Sequence, residues 1–427
     1  MKAGFSKNCI TPTMGARMFG WGSRDDDPTG CTDVHDDLFV RALWLRDNGG
    51  DVLILEFDLL LFSRDVADRL RGAVGRRFGL TMDRIVLNTS HTHNGPTTGT
   101  WWTALYSAPD AIYLDALEYA VLSSANKARD SLSDVTVHPG QTTTDLAVSR
   151  RKPDGHGGVI WEANKENTIY NLVPFCAFKN DDGQVVCLLF SVSCHPSVVS
   201  GFDISADYPG EAMAALDARL GGECSLFLQG VGGDTKVRAH DDVAVFGTTW
   251  EDQATAGVSV AEAITKELAS ELREVTPKLR VCELEVELAL RPPPSGQDGS
   301  PDHKSDVRQR WAERMKEREA SGIPIPTAVR MTVHGVQIGE GVRLVGLEGE
   351  AVADLGYLIK DEFDGGVTFP LGYTDGCQMY IPSDQMLDEG GYEVVSYYEY
   401  HQPAGLAPGI DSAVTDGVRE LQRYGVG

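Results

Sequence analysis

Short apolar runs alternate along the chain with segments of helical spacing. Residues 51–57 (DVLILEF) form a run of strand length. Residues 63–78 then place apolar side chains at Val66, Leu70, Val74 and Phe78, one stripe of an amphipathic helix. Residues 84–87, 185–192, 225–228 and 343–345 read likewise as buried strands, and 113–132 and 254–272 as long helices. The alternation predicts an α/β fold, a mixed sheet covered by helices, in one large domain spanning residues 1–427. Three strands run directly into polar clusters: RIVLNTSHTHNGP, LLFSVSCHPS and SLFLQGVGGDT. Folds of this class gather their chemistry at strand ends, so a site is expected at these junctions.

One stretch breaks the pattern. Residues 291–326 open on three prolines, pass through SGQDGSPD, and become a charged helix at 304–320 that ends at IPIP. They read as a charged surface excursion, or a lid, within the domain.

Composition narrows the function. Apolar residues are 42% of the 427, enough to offset the entropy of ordering, so a globular chain is expected. Asp and Glu number 63 against 38 Lys and Arg, a formal charge of −25 that repels phosphate backbones and anionic bilayers. Neither nucleic acid nor stable membrane association is expected; the partner is a small-molecule substrate. There is no apolar run of 18 residues and no signal-peptide pattern at the start, so a cytoplasmic protein is expected. The 8 cysteines are scattered without a CxxC pair, which argues for buried small hydrophobes and against a thiolate zinc site.

The strand-end clusters carry the chemistry. His91 and His93, spaced by two in extended chain, would point to the same side. They suit two metal ligands, or one ligand beside an acid/base group; the plainer reading is two loop histidines on the surface. His195 in SCHPS repeats the setting of strand, polar turn and proline. A zinc site built on such histidines needs an anionic oxygen. Glu348 and Glu350 in LVGLEGEAVADLG offer it, and strand alternation would send both to one side without choosing between them.

The stretches GFSKNCITP, DDLFVRALWL, NTSHTHNGP, VSRR, SVSCHPSVV, ADYPGEA, FLQGVGGD, LEGEAVADLG and GYTDGCQMYIP follow in order across residues 4–392. In them the chain resembles the catalytic domain of the neutral, non-lysosomal ceramidases and their bacterial relatives. The resemblance implies a ceramidase-like catalytic domain over 1–427, with one zinc ion held by two histidines, a glutamate and a tyrosine. Carried over, these are His91, His195, Glu350 and Tyr380. It also implies that Arg150, in SRR, lines the substrate side. Two departures stand out. The family's G-D-x-S serine is matched here by GGDTKV at 232–237, with Lys236 at the serine's place. The family's C-terminal β-sandwich domain is not expected in the residues that follow 392, which are too few to form it.

These readings converge on a metal-dependent hydrolase that cleaves an amide or related carbonyl-type bond, an amidase in the broad sense. Zinc is the expected ion, with iron or manganese as alternatives. His93 and Asp234 are the expected acid/base residues, Asp234 having a turn or N-cap role as its alternative. Gly230, Gly232 and Gly233 could offer N–H groups to an oxyanion. Lys236 and Arg238, if they face the substrate, select a carboxylate or phosphate and so a small polar molecule over ceramide. Trp101 and Trp102 wall the pocket or anchor the core. Two other functions fit the same ligands: a metal-assisted, non-hydrolytic enzyme acting on a sugar or cyclitol derivative, and a metal-binding scaffold without catalysis.

Overall fold

The strand Gly50–Phe57 is apolar on both faces, and the alternation of its side chains explains why. Leu53 and Leu55 pack under helices, whereas Val52 and Ile54 pack against a second sheet. The computed structural model describes residues 1–24, 27, 29–100, 108–293 and 305–427. Around Gly50–Phe57 it builds a five-stranded sheet, in the order Ile85–Thr89, Gly50–Phe57, Phe39–Asp47, Lys2–Cys9, Ser133–Asp134. The first pair is parallel, joined by the crossover helix Arg64–Phe78, and the rest are antiparallel. Gly79 ends that helix at φ 75°, a left-handed conformation that glycine adopts without strain.

A second sheet runs Ser225–Gln229, Val185–Val192, Leu172–Lys179, Thr136–Thr143. Its inner face, with Phe178, Leu189 and Leu228, meets Leu43, Val52 and Ile54 of the first. Its outer face, with Phe175, Phe190 and Phe227, lies under the helices Asp207–Leu220 and Trp250–Leu268. The result is four layers: helices, sheet, sheet, helices. A third sheet, Pro277–Ala289, Ala328–Gly339, Val342–Leu347, Val367–Leu371, joins the same inner core through Val336, Leu344 and Phe369. Its other side is packed by the helices Ala353–Asp361 and Ile410–Arg423. The fold is thus mixed α/β with helical cover, but the apolar strands are shared among three main sheets where the pattern suggested one.

The charged helix is Ser305–Ala320. Its Val307 and Trp311 are buried, and the Trp311 indole N–H donates to the Gln402 carbonyl at 2.8 Å. Residues 294–304 of the excursion, and Trp101 and Trp102, lie outside the described residues. All eight cysteines are unbridged; Cys9 is exposed, unlike the buried class expected for it. Among the described residues no helix is long and apolar enough to cross a membrane.

Candidate metal centre

Two strand ends deliver three imidazoles to one point. His91 follows the strand Ile85–Thr89 in a left-handed conformation, φ 66°, so the chain there is not extended as the H-T-H spacing assumed. The turn lets His91 Nδ1–H donate to the Leu60 carbonyl at 2.8 Å. His93 Nδ1–H donates to the Gly20 carbonyl at 2.6 Å, and His195 Nδ1–H to the Gly232 carbonyl at 3.2 Å. A carbonyl can only accept, so each ring carries a proton on Nδ1 and turns its Nε2 toward the other rings. The Nε2 atoms of His91 and His195 are 3.0 Å apart, those of His91 and His93 3.3 Å. Lone pairs so placed repel one another unless a cation lies among them. Burial holds His93 and His195 well below the usual histidine pKa, which keeps their nitrogens free. The donor set therefore fits a divalent ion.

The loop that carries these rings is braced from behind. Arg24 donates to the His93 carbonyl at 2.6 Å and to Asn94 Oδ1 at 2.8 Å. Trp21 packs edge-on against the His93 ring, centroids 5.6 Å apart.

Glu350 supplies the carboxylate. Its Oε2 is 3.2 Å from His91 Nε2 and 3.8 Å from His195 Nε2. Tyr373 donates to Oε2 at 3.2 Å, and Tyr400 donates to Oε1. Burial alone would raise its pKa, but His91 and the hydroxyls of Tyr400 and Tyr380 outweigh that and hold it below the ordinary value. Glu348, by contrast, faces away. It pairs with Arg64 and accepts from Thr332 N at 3.0 Å and Thr332 Oγ1 at 2.9 Å. Alternation fails here because the strand has already ended. Gly349 N bonds back to Leu347 O, and Ala351 N to Gly349 O, each at 3.0 Å, and these tight turns separate the two carboxylates. A Cβ at Gly349 would meet Met379 O at 2.8 Å, so the bend requires glycine.

The other expected residues lie around this centre. Tyr380 pairs with Glu350 across a short parallel ladder, and its hydroxyl bonds Glu350 and Arg150. The Arg150 guanidinium lies 5.3 Å from the Tyr380 ring centroid, donates from Nε to Glu393 Oε1 at 2.7 Å, and leaves Nη2 buried without a partner. Asp234 accepts from Ala353 N at 2.9 Å on Oδ1, at the start of the helix Ala353–Asp361, and its buried Oδ2 has no partner. Burial pushes this carboxyl up to about 7. Lys236 is only 7% exposed and donates to Ser197 O and Oγ at 2.8 and 3.0 Å, not to Asp234. Burial lowers its ammonium to about 8. Arg238 lies apart, bound to Asp145 O at 2.6 Å and Asp145 Oδ2 at 2.9 Å in an exposed pair. The glycine loop has mostly spent its N–H groups: Gly230 N donates to Val192 O at 3.0 Å and Gly233 N to Ala351 O at 2.9 Å. These glycines serve close backbone packing, since a Cβ at Gly233 would stand 2.8 Å from Glu350 O. They do not form an oxyanion cradle.

Tyr373, Tyr392, Glu393 and Tyr400 were not singled out in the sequence. Tyr373 sits in the GYTDG stretch that carried the resemblance, but Tyr400 lies in SYYEYH, which has no motif. A cavity of about 40 Å³ opens beside the centre, with His91, His93, Glu350 and Tyr380 on its polar wall and Phe19 and Leu60 among its apolar lining.

A second cluster, Glu283, His334 and Asp375, also gathers possible ligand atoms. Here His334 Nδ1 bonds Asp375 Oδ2 at 2.5 Å and Nε2 bonds the Asp83 carbonyl at 2.9 Å, so no ring nitrogen is left bare.

No protein-family profile matches the chain, and its sequence matches no curated protein. Solved structures do match. A ceramidase complexed with C2 superposes with a TM-score of 0.78 at 14% identity, over 100% of this chain and 76% of that one. The neutral ceramidase from Pseudomonas aeruginosa superposes with a TM-score of 0.75 at 15% identity, over 99% of this chain and 74% of that one. At this identity the likeness establishes the fold, which is similar to that of the neutral ceramidases.

Proposed function

We propose that the chain is a metal-dependent hydrolase that cleaves an amide, or a related carbonyl-type bond, of a small polar molecule. The observation that carries the reading is the meeting of imidazole nitrogens and an ionised carboxylate on one wall of a cavity. His91, His195 and Glu350 would hold the ion, zinc by preference for such a donor set. When bound, a divalent ion acidifies water and polarises a carbonyl. The likeness in fold to ceramidases, which are amide hydrolases, supports the choice of bond.

The chain's own residues do the rest. The carbonyls of Leu60, Gly20 and Gly232 fix the tautomers, so the rings are oriented before a substrate arrives. Tyr373 and Tyr400 keep Glu350 ionised and aimed. The unpartnered Nη2 of Arg150, beside Tyr380, supports a role for this guanidinium in binding a substrate oxygen, a carboxylate best of all. Asp234, through Ala353 N, fixes the turn that carries Glu350. The cavity beside the centre is only about 40 Å³, small against the roughly 300–1,000 Å³ common for small-molecule pockets. The preference for a compact polar substrate over a two-chain lipid rests on Lys236 standing where the resembling family has its serine.

The test is a screen of N-acyl amino acids, N-acyl sugars and ceramides with zinc-replete protein, repeated after chelation. Turnover of a short polar amide that chelation abolishes and zinc restores is expected. Undiminished turnover by metal-free protein would refute the reading, and efficient turnover of long-chain ceramide would refute its substrate class.

A further inference from the structure

The buried cluster around His334 has no part in the hydrolase reading, yet it ends on a strained loop beside Glu350. We infer that His334 is a positioning residue: through Asp375 it pins the loop 372–376 in the shape that delivers the Tyr373 hydroxyl to Glu350. That Glu350 serves a hydrolytic centre is the reading above, on which this role rests.

Two residues of the loop are left-handed without being glycine: Tyr373 at φ 52° and Asp375 at φ 58°. Asp tolerates that region, but an aromatic residue rarely enters it, so the surroundings must impose it. They act from both sides. Tyr373 N donates to Gly349 O at 2.9 Å, Thr374 N to Leu347 O at 3.1 Å, and Asp375 N to Leu87 O at 2.9 Å. The loop thereby bridges the strand Ile85–Thr89, which leads to His91, and the turn at Gly349, which carries Glu350. The Tyr373 ring lies against the His91 ring, centroids 4.2 Å apart, and its hydroxyl donates to Glu350 Oε2 at 3.2 Å.

Asp375 is the fixed point of this loop. Its Oδ1 accepts from Leu87 N at 2.8 Å, and its Oδ2 from His334 Nδ1–H at 2.5 Å. The His334 Nε2–H in turn donates to the Asp83 carbonyl at 2.9 Å, and Arg71 Nε lies 3.7 Å from Asp375 Oδ1. His334, Asp375 and Arg71 are all buried. Charges taken this far from water lose hydration that their attraction does little more than repay, so net stability is a poor account of the pair. What it supplies is direction. The strand Ala328–Gly339 holds the imidazole from the third sheet, and the imidazole fixes the carboxylate at the root of the loop. Tyr373 does not keep φ 52° by its own preference; the anchor two residues on holds it there.

Two conservative variants divide the bonds of the ring. Asparagine places an amide N–H near the position of Nδ1–H, so His334→Asn keeps the bond to Asp375; glutamine places one near Nε2–H, so His334→Gln keeps only the bond to Asp83. Hydrogen exchange of the metal-free proteins reads the loop, and competition with a chromophoric chelator reads zinc affinity. His334→Gln should speed exchange at the amides of 373–375 about tenfold relative to those of the strand Val185–Val192, and weaken zinc binding about tenfold. His334→Asn should stay within about threefold of wild type in both. In a Tyr373→Phe background His334→Gln should change zinc affinity by no more than about twofold, because the hydroxyl it positions is gone. Equal effects of Asn and Gln, exchange that rises throughout the protein and not in the loop, or a Gln effect on zinc that persists without the Tyr373 hydroxyl would overturn the role of His334 and leave the hydrolase reading intact. A wild-type protein that takes up no metal would overturn the hydrolase reading alone, since exchange in the loop still reports on His334.

Discussion

Asp234 is the residue whose replacement says most about the site's construction. Its Oδ1 holds Ala353 N–H, while Oδ2 is buried with no partner, and burial raises the carboxyl from 3.8 to about 7. The folded protein therefore keeps this proton to near neutrality, whereas the unfolded chain releases it near 3.8. The proton's contribution to stability is full below 3.8 and is lost as pH rises through about 7. With about 1.4 kcal/mol per pKa unit, the whole loss is about 4 kcal/mol, of which about 3 kcal/mol falls between pH 5 and pH 8. Asp234→Asn keeps the shape and the acceptor for Ala353 N–H but does not titrate. Urea unfolding of both zinc-loaded proteins at pH 5 and pH 8 should show the variant gaining about 3 kcal/mol on the wild type across that range. Groups common to both proteins cancel in the difference. A gap that stays constant with pH would refute the account of Oδ2 as a buried, unpartnered oxygen. Kinetics on the same variant divide the two roles open to Asp234: a positioning residue predicts kcat within a few fold of wild type, and a proton donor predicts a loss of about 10²-fold or more.

Other substitutions separate the metal centre from its surroundings. Glu348→Ala removes the buried partner of Arg64 and Thr332 but leaves Arg64 its bonds to Glu285 and the Arg330 carbonyl, so it should cost about 1–2 kcal/mol in unfolding experiments, yet leave zinc content unchanged. Glu350→Gln should do the reverse, lowering zinc affinity by more than tenfold in chelator competition with the smaller effect on stability. Lys236→Met removes an ammonium whose pKa burial lowers from 10.5 to about 8. Because that group binds fewer protons folded than unfolded between those values, wild type should gain about 3 kcal/mol on the variant from pH 8 to 10.5, measured by guanidinium unfolding.

Much of the architecture is legible in the sequence because burial on both faces leaves an unbroken apolar run. The strand Val185–Val192 shows this: its side chains fill two different cores, and so no polar residue interrupts VVCLLF. Boundaries were less legible. The helix Trp250–Leu268 begins four residues before the periodic stripe at 254, because Thr249 and Asp252 form a capping box that a search for apolar spacing passes over. The strand Pro277–Ala289 escapes a reading that follows unbroken apolar runs, although Glu283, Glu285 and Glu287 alternate in it with Leu284, Val286 and Leu288. At the site, His91 and His195 stood out because each follows an apolar strand. Local pattern could not show that Glu350 and not Glu348 joins them, since the choice depends on a turn at Gly349 packed against Met379 and Ile381. Nor could it show Tyr400, whose hydroxyl reaches Glu350 across 50 residues of chain.

The two histidine clusters of the molecule show why ligand counting by residue type is insufficient. Glu283, His334 and Asp375 have the composition of a metal site, and so do His91, His93 and His195. What separates them is where the protons are. At His334 both ring nitrogens are taken, Nε2 by the Asp83 carbonyl and Nδ1 by Asp375. Burial disfavours the charged ring there, but Asp375 outweighs it and raises the pKa, so the ring is an imidazolium in an ion-pair network with Arg71. A cation brought to that ring would meet another cation. At the first cluster each ring is tied through Nδ1 to a backbone carbonyl, which accepts and cannot donate, so each Nδ1 carries a proton and each Nε2 is turned to the centre. Backbone carbonyls thus fix which nitrogen of each ring faces the centre, and the residues that supply them, Leu60, Gly20 and Gly232, contribute no side-chain chemistry. Replacing them would leave the carbonyls in place, so the centre is protected from substitution at those positions except where a side chain cannot fit. Gly20 is such a position: its φ of 106° and its 2.9 Å approach to His93 Nδ1 leave no room for a Cβ. Gly20→Ala, at a residue that offers no ligand atom of its own, is therefore expected to displace the His93 ring and to lower metal affinity in chelator competition.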